Sequence, residues 1–217
     1  SLARDKAPMR TVQLAFNLAD TRLEYDPRWP PLTVQSGVVY IDDTSVSVWA
    51  DQARLLQSTA HGVSVESRLN DAKEVILDIE GTVTGPAADG LQVLNESPVG
   101  DIVGGAFQHW RAVGGLEADV RLQLNLGDKS VSPRVDVATR WFDTGLLINP
   151  GNLSLQSVDG DFTYSSTRGF SSDALNGTLW GKPVAVRLKQ RHPDGSYRAG
   201  ASELIVSARS PVDLADL

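Results

Sequence analysis

Between Leu116 and Leu126 the chain alternates without a fault: Leu116, Ala118, Val120, Leu122, Leu124 and Leu126 are apolar, and Glu117, Asp119, Arg121, Gln123 and Asn125 between them are polar. A side-chain period of two places successive residues on opposite faces of a strand, so this segment reads as a β-strand with one dry face and one wet one. The same period recurs. Val12, Leu14, Phe16 and Leu18 alternate with Gln13, Ala15, Asn17 and Ala19. After the breaks at Asp26-Pro27 and Trp29-Pro30-Pro31, Val34 to Ile41 reads as a second strand, and beyond Asp42-Asp43-Thr44 the residues Val46, Val48 and Ala50 alternate with Ser45, Ser47 and Trp49. Val63 with Val65, Val75 with Leu77 and Ile79, Val135 with Val137, Leu153 with Leu155, Phe162 with Tyr164, Leu175 to Leu179, and Val184 with Val186 and Leu188 add further strands. Pro193-Asp194-Gly195 is a turn signal that returns the chain as Tyr197 to Ala208. About a dozen strands at ~8–12-residue spacing predict a mainly β architecture.

One interior region argues for helix. Ser97-Pro98 supplies a cap and a proline at the first turn, Asp101 sits near the positive end, and Ile102, Val103, Ala106, Phe107 and Trp110 share a helical face until Gly114-Gly115. Ala87 to Leu94 reads as a short companion helix, weakened by Gly90. The expected organisation is one continuous domain: a first β block over 1–85, a helical insertion over 86–114 and a second β block over 115–209. Over 210–217, Ser210-Pro211-Val212-Asp213 reads as a helix start that Leu217 cuts off, as in a fragment of a longer protein. The two β blocks echo each other, Gly37-Val38-Val39-Tyr40-Ile41 leading to Gly62-Val63-Ser64-Val65 much as Gly160-Asp161-Phe162-Thr163-Tyr164 leads to Gly181-Lys182-Pro183-Val184-Ala185-Val186. Such a unit suits a sheet that grows by addition.

Chemistry is sparse. The 20 basic residues are scattered among 27 acidic ones, with no basic run to meet a phosphate backbone, so nucleic acid is not an expected partner. The absence of cysteine removes disulfides and thiol chemistry. His61, His109 and His192 lie far apart and suit surface positions better than metal ligands, and Asp42-Asp43 suits a turn better than a cation site. Gly100 to Gly105 lacks the lysine of a phosphate loop, and no Gly-x-Ser-x-Gly elbow occurs. No catalytic residue, metal or cofactor is therefore expected. Asn95, Asn152 and Asn176 head Asn-x-Ser/Thr triplets of the kind common in a Ser/Thr-rich β protein. Trp29, Trp49, Trp110, Trp141 and Trp180 fit core anchors better than an exposed glycan platform. What remains is the dry face, which a second sheet, a helix or a hydrocarbon chain would cover equally well.

Tyr25-Asp26-Pro27-Arg28-Trp29-Pro30-Pro31-Leu32 before the Gly37 strand, Ser97-Pro98 opening a helix, Gly115 opening a long alternating strand, and Leu175-Asn176-Gly177-Thr178-Leu179-Trp180-Gly181-Lys182-Pro183-Val184 carry a resemblance. From about Phe16 to Leu188 the chain resembles the central region of the YhdP-type, AsmA-like lipid transfer proteins of Gram-negative envelopes. The resemblance implies an extended, curved, mostly antiparallel sheet forming an apolar groove, with one or two short helices inserted mid-chain. It implies a periplasmic segment of an inner-membrane-anchored parent, the anchor lying outside this fragment, along which phospholipid moves between inner and outer membranes. Its partners would be phospholipid acyl chains and neighbouring segments of the same long chain. The residues then expected to line the groove are Val12, Leu14, Phe16, Leu18, Val46, Val48, Leu77, Ile79, Val120, Leu122, Leu124, Leu126, Val135, Val137, Val184, Val186 and Leu188. The rival expectation is a structural or interaction module whose dry face is sealed internally and whose edge strands pair with neighbours.

Overall fold

A computed structural model describes residues 12–24, 27–43, 45–102, 105, 107–128, 130–149, 151–191 and 203–209. The strands β1 (Gln13–Leu23), β2 (Leu32–Asp42), β3 (Ser45–Leu55), β4 (Ser58–Leu69) and β5 (Val75–Pro86) precede two helices, α1 (Ala87–Glu96) and α2 (Pro98–Ile102). The strands β6 (Arg111–Asn125), β7 (Arg134–Ile148), β8 (Leu153–Ser165), β9 (Gly169–Leu179), β10 (Lys182–Arg191) and β11 (Glu203–Arg209) follow. All eleven form one sheet in sequence order, each pairing antiparallel with the next. The tight hairpin between β9 and β10 turns on Trp180 and Gly181, at φ 52° and 76°, the positive pair that a two-residue hairpin turn requires. The Gly37 and Gly160 stretches are two three-strand lengths of this single meander. The expected helix start at Ser210, the turn at Pro193-Asp194-Gly195 and His192 lie outside the described residues.

The strands are longer than the alternation suggests, because it changes phase inside them. Along β3, Ala50 and Ala53 are both buried with two exposed residues between them; Ala60 and Val63 repeat this in β4, Trp141 and Thr144 in β7, Leu155 and Val158 in β8, and Ser172 and Leu175 in β9. Each is a bulge, where one extra residue flips the facing of all that follows and bends the strand. Positive φ at Gly62 (57°), Asp143 (43°) and Ser157 (47°) marks those of β4, β7 and β8, and Gly114 (120°) sits at a further register shift in β6. The bulges of adjacent strands fall near one another in register, so the sheet bends along a line crossing its strands. Leu153 with Leu155 and Phe162 with Tyr164, two strands by their sequence, are therefore the two phases of β8 alone.

The helical insertion is also rearranged. Its main element is α1, whose Ala87, Asp89 and Leu91 are buried, whereas Ser97-Pro98 opens only the five-residue α2. Gly105, at φ 71°, breaks the helical path expected to reach Trp110, and Arg111 already belongs to β6. Phe107 (2% exposed) and Trp110 (7%) still point inward, as their spacing suggests, because tertiary burial rather than helix geometry holds them.

Candidate functional site: the apolar face of the sheet

Cross-strand register sorts the dry face into rows running across the strands. One row is Phe16, Val39, Val48, Val65, Ile79, Leu122 and Val135, each paired to the next through β1 to β7. Beside it, toward the end of the sheet that carries the β2–β3 turn, runs Leu14, Ile41, Val46, Ser67, Leu77 and Leu124, and beyond that Leu69, Val75 and Leu126 lie against one another at the rim. On its other side the row Leu18, Gly37, Ala50, Val63, Gly81, Val120, Val137, Tyr164 and Phe170 crosses from β1 to β9. Directly opposed apolar side chains in neighbouring strands stabilise the sheet and make the first row a continuous hydrocarbon strip, whereas Ser67 interrupts the second and Gly37 and Gly81 the third.

Exposure along these rows divides the face into two unlike halves. Over β6 to β10 the strip is sealed: Leu122, Leu124, Val135, Val184, Val186 and Leu188 are all buried, in one large cluster with Leu91, Val99, Phe107 and Trp110 from the insertion. Phe107 meets Phe170 with ring centroids 4.5 Å apart, and Phe170 in turn meets Tyr164 at 4.5 Å and Phe162 at 5.3 Å. Among the described residues no helix packs on the strip over β1 to β4. Val12, Leu14, Phe16 and Val46 are exposed, and Leu18, Val39, Val48, Val65, Leu77 and Ile79 are only half-buried. Along the strands, burial deepens from this open margin to a second, smaller cluster of Val34, Ala50, Ala53, Ala60 and Val63, with Ala53 at 0% exposure. The partly buried Leu18, Leu23, Leu32, Val65 and Val83 pack against this cluster. This half carries small residues in its buried cluster and larger apolar residues, Leu14, Phe16 and Val46 among them, on its open margin.

The expected lining residues thus fall into three sets. Val12, Leu14, Phe16, Leu18, Val46 and Val48 lie on the open half, with Leu126 exposed at the rim; Leu77, Ile79, Val120 and Val137 are half-buried against the large cluster, where the two halves meet; Leu122, Leu124, Val135, Val184, Val186 and Leu188 are buried within it. Val39, Ile41 and Val65 complete the open strip and are absent from the sequence-based set. In Gly37-Val38-Val39-Tyr40-Ile41 both faces carry apolar residues, so alternation leaves the facing of Val39 undetermined. Of the tryptophans, Trp110 and Trp141 are buried and Trp29 packs on the large cluster; Trp49 on β3 and Trp180 at the β9–β10 turn are exposed but lie at opposite ends of the strand order.

The opposite face is polar and cross-braced by Arg68 with Asp78 (2.8 Å), Arg140 with Asp161 (3.2 Å) and Thr82 donating to Asp119 (2.8 Å). Partial burial pushes the Asp78 carboxyl up, but hydrogen bonds from Gln123 and Arg68 and the charge of Arg68 outweigh it and hold Asp78 below the usual carboxylate range. A hollow of about 940 Å³ over β5 to β10 is lined mostly by residues of this face, among them Glu80, Asp119, Arg121, Asp136 and Lys189, so its chemistry is that of a salt-bridged surface and not of a hydrocarbon site. Burial, with the nearby Asp136 charge, pushes the Tyr164 phenol up to about 12, and its hydroxyl has no hydrogen-bond partner. Asp43, expected in a turn, accepts a hydrogen bond from the Val12 backbone N–H at 2.7 Å. Among the described residues no three His, Asp or Glu side chains gather as metal ligands would, and no helix is long and apolar enough to cross a membrane.

The chain is 20% identical over 185 residues to the intermembrane phospholipid transporter YhdP of Escherichia coli (strain K12), an alignment covering 85% of this chain and 14% of that protein. The chain therefore corresponds to a small part of that relative's length. No solved structure is significantly similar to it. The model of the YhdP protein family matches residues 4–208, nearly the whole chain, and this protein belongs to that family.

Proposed function

We propose that this chain is one length of a conduit for phospholipid between the inner and outer membranes, and that acyl tails rest on the open apolar trough of β1 to β5. The observation that carries the reading is the strip Phe16, Val39, Val48, Val65 and Ile79: one apolar residue from each of five consecutive strands, none fully buried, no polar side chain among them. Hydrocarbon laid on such a strip leaves water at about 0.8 kcal/mol per CH₂. With no charged group on the strip to hold a head group in place, tails would slide along it. The kinship with a protein named as an intermembrane phospholipid transporter supports the same reading. Under it the chain is non-enzymatic and lies in the periplasm, in a parent anchored in the inner membrane. The backbone edges of β1 and β11, which pair with no further strand among the described residues, would receive neighbouring segments of the longer chain.

A second reading applies to the other half. The occlusion of Leu122, Leu124, Val135, Val184, Val186 and Leu188 favours a structural role for β6 to β10, a stiff section on which the open half is built. Native mass spectrometry of the purified chain, together with titration by a fluorescent fatty acid, tests the conduit. Co-purifying phospholipid and saturable uptake are expected. Neither being seen with correctly folded chain would refute it.

A further inference from the structure

Burial along the first row runs one way. Phe16 on β1 is 49% exposed, Val39, Val48, Val65 and Ile79 are half-buried, and Leu122 and Val135 on β6 and β7 fall to 7% and 3%. The pairing beneath is continuous from Phe16 to Val135, so the two ends of the row differ in what surrounds them and not in the ladder that carries them. At one end the row meets water on a strand that pairs with β2 alone among the described residues. At the other it enters the large cluster, whose buried side chains include Leu124, Tyr164 and Phe170 beside Leu122 and Val135.

A surface wet at one end and closed at the other imposes a direction on what lies along it. A polar head group at Leu122 would be cut off from water among apolar side chains, whereas at Phe16 it stays solvated; a methyl end bears no such cost at Leu122. The open part of the row also has a length. From Phe16 through Val39, Val48 and Val65 to Ile79 the row takes four strand-to-strand steps, about 19 Å at 4.7–4.9 Å each. An extended chain advances about 1.2 Å per bond, as the peptide backbone does over the three bonds of a residue, so this length takes roughly sixteen carbons. The neighbouring row is no equal seat: Ser67, whose hydroxyl accepts a hydrogen bond from the Val46 backbone N–H at 2.6 Å, interrupts it after Val46.

We propose that the open strip is a blind-ended seat for one acyl tail, which lies across the strands with its methyl end stopped at Leu122 and its polar end over β1, so that the strip measures tail length. The inference rests on the reading of the open half as an acyl surface. Displacement of a fluorescent fatty acid from the whole chain by saturated fatty acids of 8 to 20 carbons tests the length. Each added CH₂ should tighten binding about two- to fourfold up to roughly sixteen carbons, and longer chains, protruding past Phe16, should gain nothing more. Stearic acids carrying a nitroxide label test the direction by nuclear magnetic resonance. A label at carbon 16 should broaden the methyl signals of Ile79 and Leu122 at least threefold more than the ring signals of Phe16, and a label at carbon 5 should do the reverse. Affinity rising by the same factor through 20 carbons, or broadening that is equal or reversed at the two ends, would overturn the blind-ended seat and leave the acyl surface standing. Absence of saturable displacement at every chain length would overturn the surface and the seat with it.

Discussion

A single hydroxyl placed at Val48 or at Val186 separates binding from stability. Threonine has nearly the shape of valine, so the substitution leaves packing volume almost intact and changes mainly polarity. Val186 is 3% exposed inside the large cluster, where a new hydroxyl is cut off from water and an unsatisfied one costs about 1–3 kcal/mol. At a denaturant slope near 2 kcal/mol/M, Val186→Thr should lower the urea midpoint by roughly 0.5–1.5 M. Val48 is half-buried on the open strip between Val39 and Val65, so water solvates the hydroxyl in the free chain and the midpoint should hardly move. A tail covering Val48 must strip that water. The same 1–3 kcal/mol then appears as acyl binding weakened about 5- to 150-fold in a fluorescent fatty acid titration. Equal stability losses at the two sites, or unchanged tail affinity in a folded Val48→Thr, would refute the division of the face into open and sealed halves.

Three further outcomes follow from particular contacts. Gly85→Ala places a methyl 2.7 Å from Ser58 Cα; overpacking of about 1–3 kcal/mol should lower the melting temperature by roughly 2–10 °C, read by circular dichroism. Because the folded pKa of Asp78 is depressed, its contribution to stability is present above the unfolded carboxylate value of about 3.9 and is lost as pH falls through the folded value. Urea unfolding of the wild type and Asp78→Asn should therefore differ near neutral pH and converge in acid. The Tyr164 phenol is raised from 10.0 to about 12, so its contribution is complete below the unfolded value and is lost as pH climbs toward 12. Ultraviolet absorbance should show one tyrosinate forming late, and Tyr164→Phe should abolish that component and blunt the alkaline loss of stability.

The sequence discloses the kind of structure more fully than its extent. Leu116 to Leu126 and Val184 to Leu188 are legible because bulges do not interrupt those stretches, and every second residue reports one face. The latter part of β7, through Thr144, Leu146 and Ile148, is not legible, because the bulge at Phe142 and Asp143 shifts the phase and breaks the pattern that an unkinked strand would show. Gly90 argues against α1 on intrinsic propensity, but contact with Leu116 favours a residue without a side chain, so tertiary packing overrides the local preference. The apolar side chains of the candidate site can be read individually. Which of them stay open cannot, since Phe16 and Leu122 stand in the same row and look equally apolar until the large cluster is seen to bury only one end of it.

The strictly sequential strand order carries a consequence for how such a sheet changes length. Since each strand leans only on its immediate predecessor and successor, a hairpin added or deleted anywhere leaves all other pairings and directions as they were. Two strands add about 10 Å across the strands, at 4.7–4.9 Å each. Duplication of a single hairpin would thus lengthen the molecule by one slat pair at a time, letting evolution match its span to a gap without redesigning the rest.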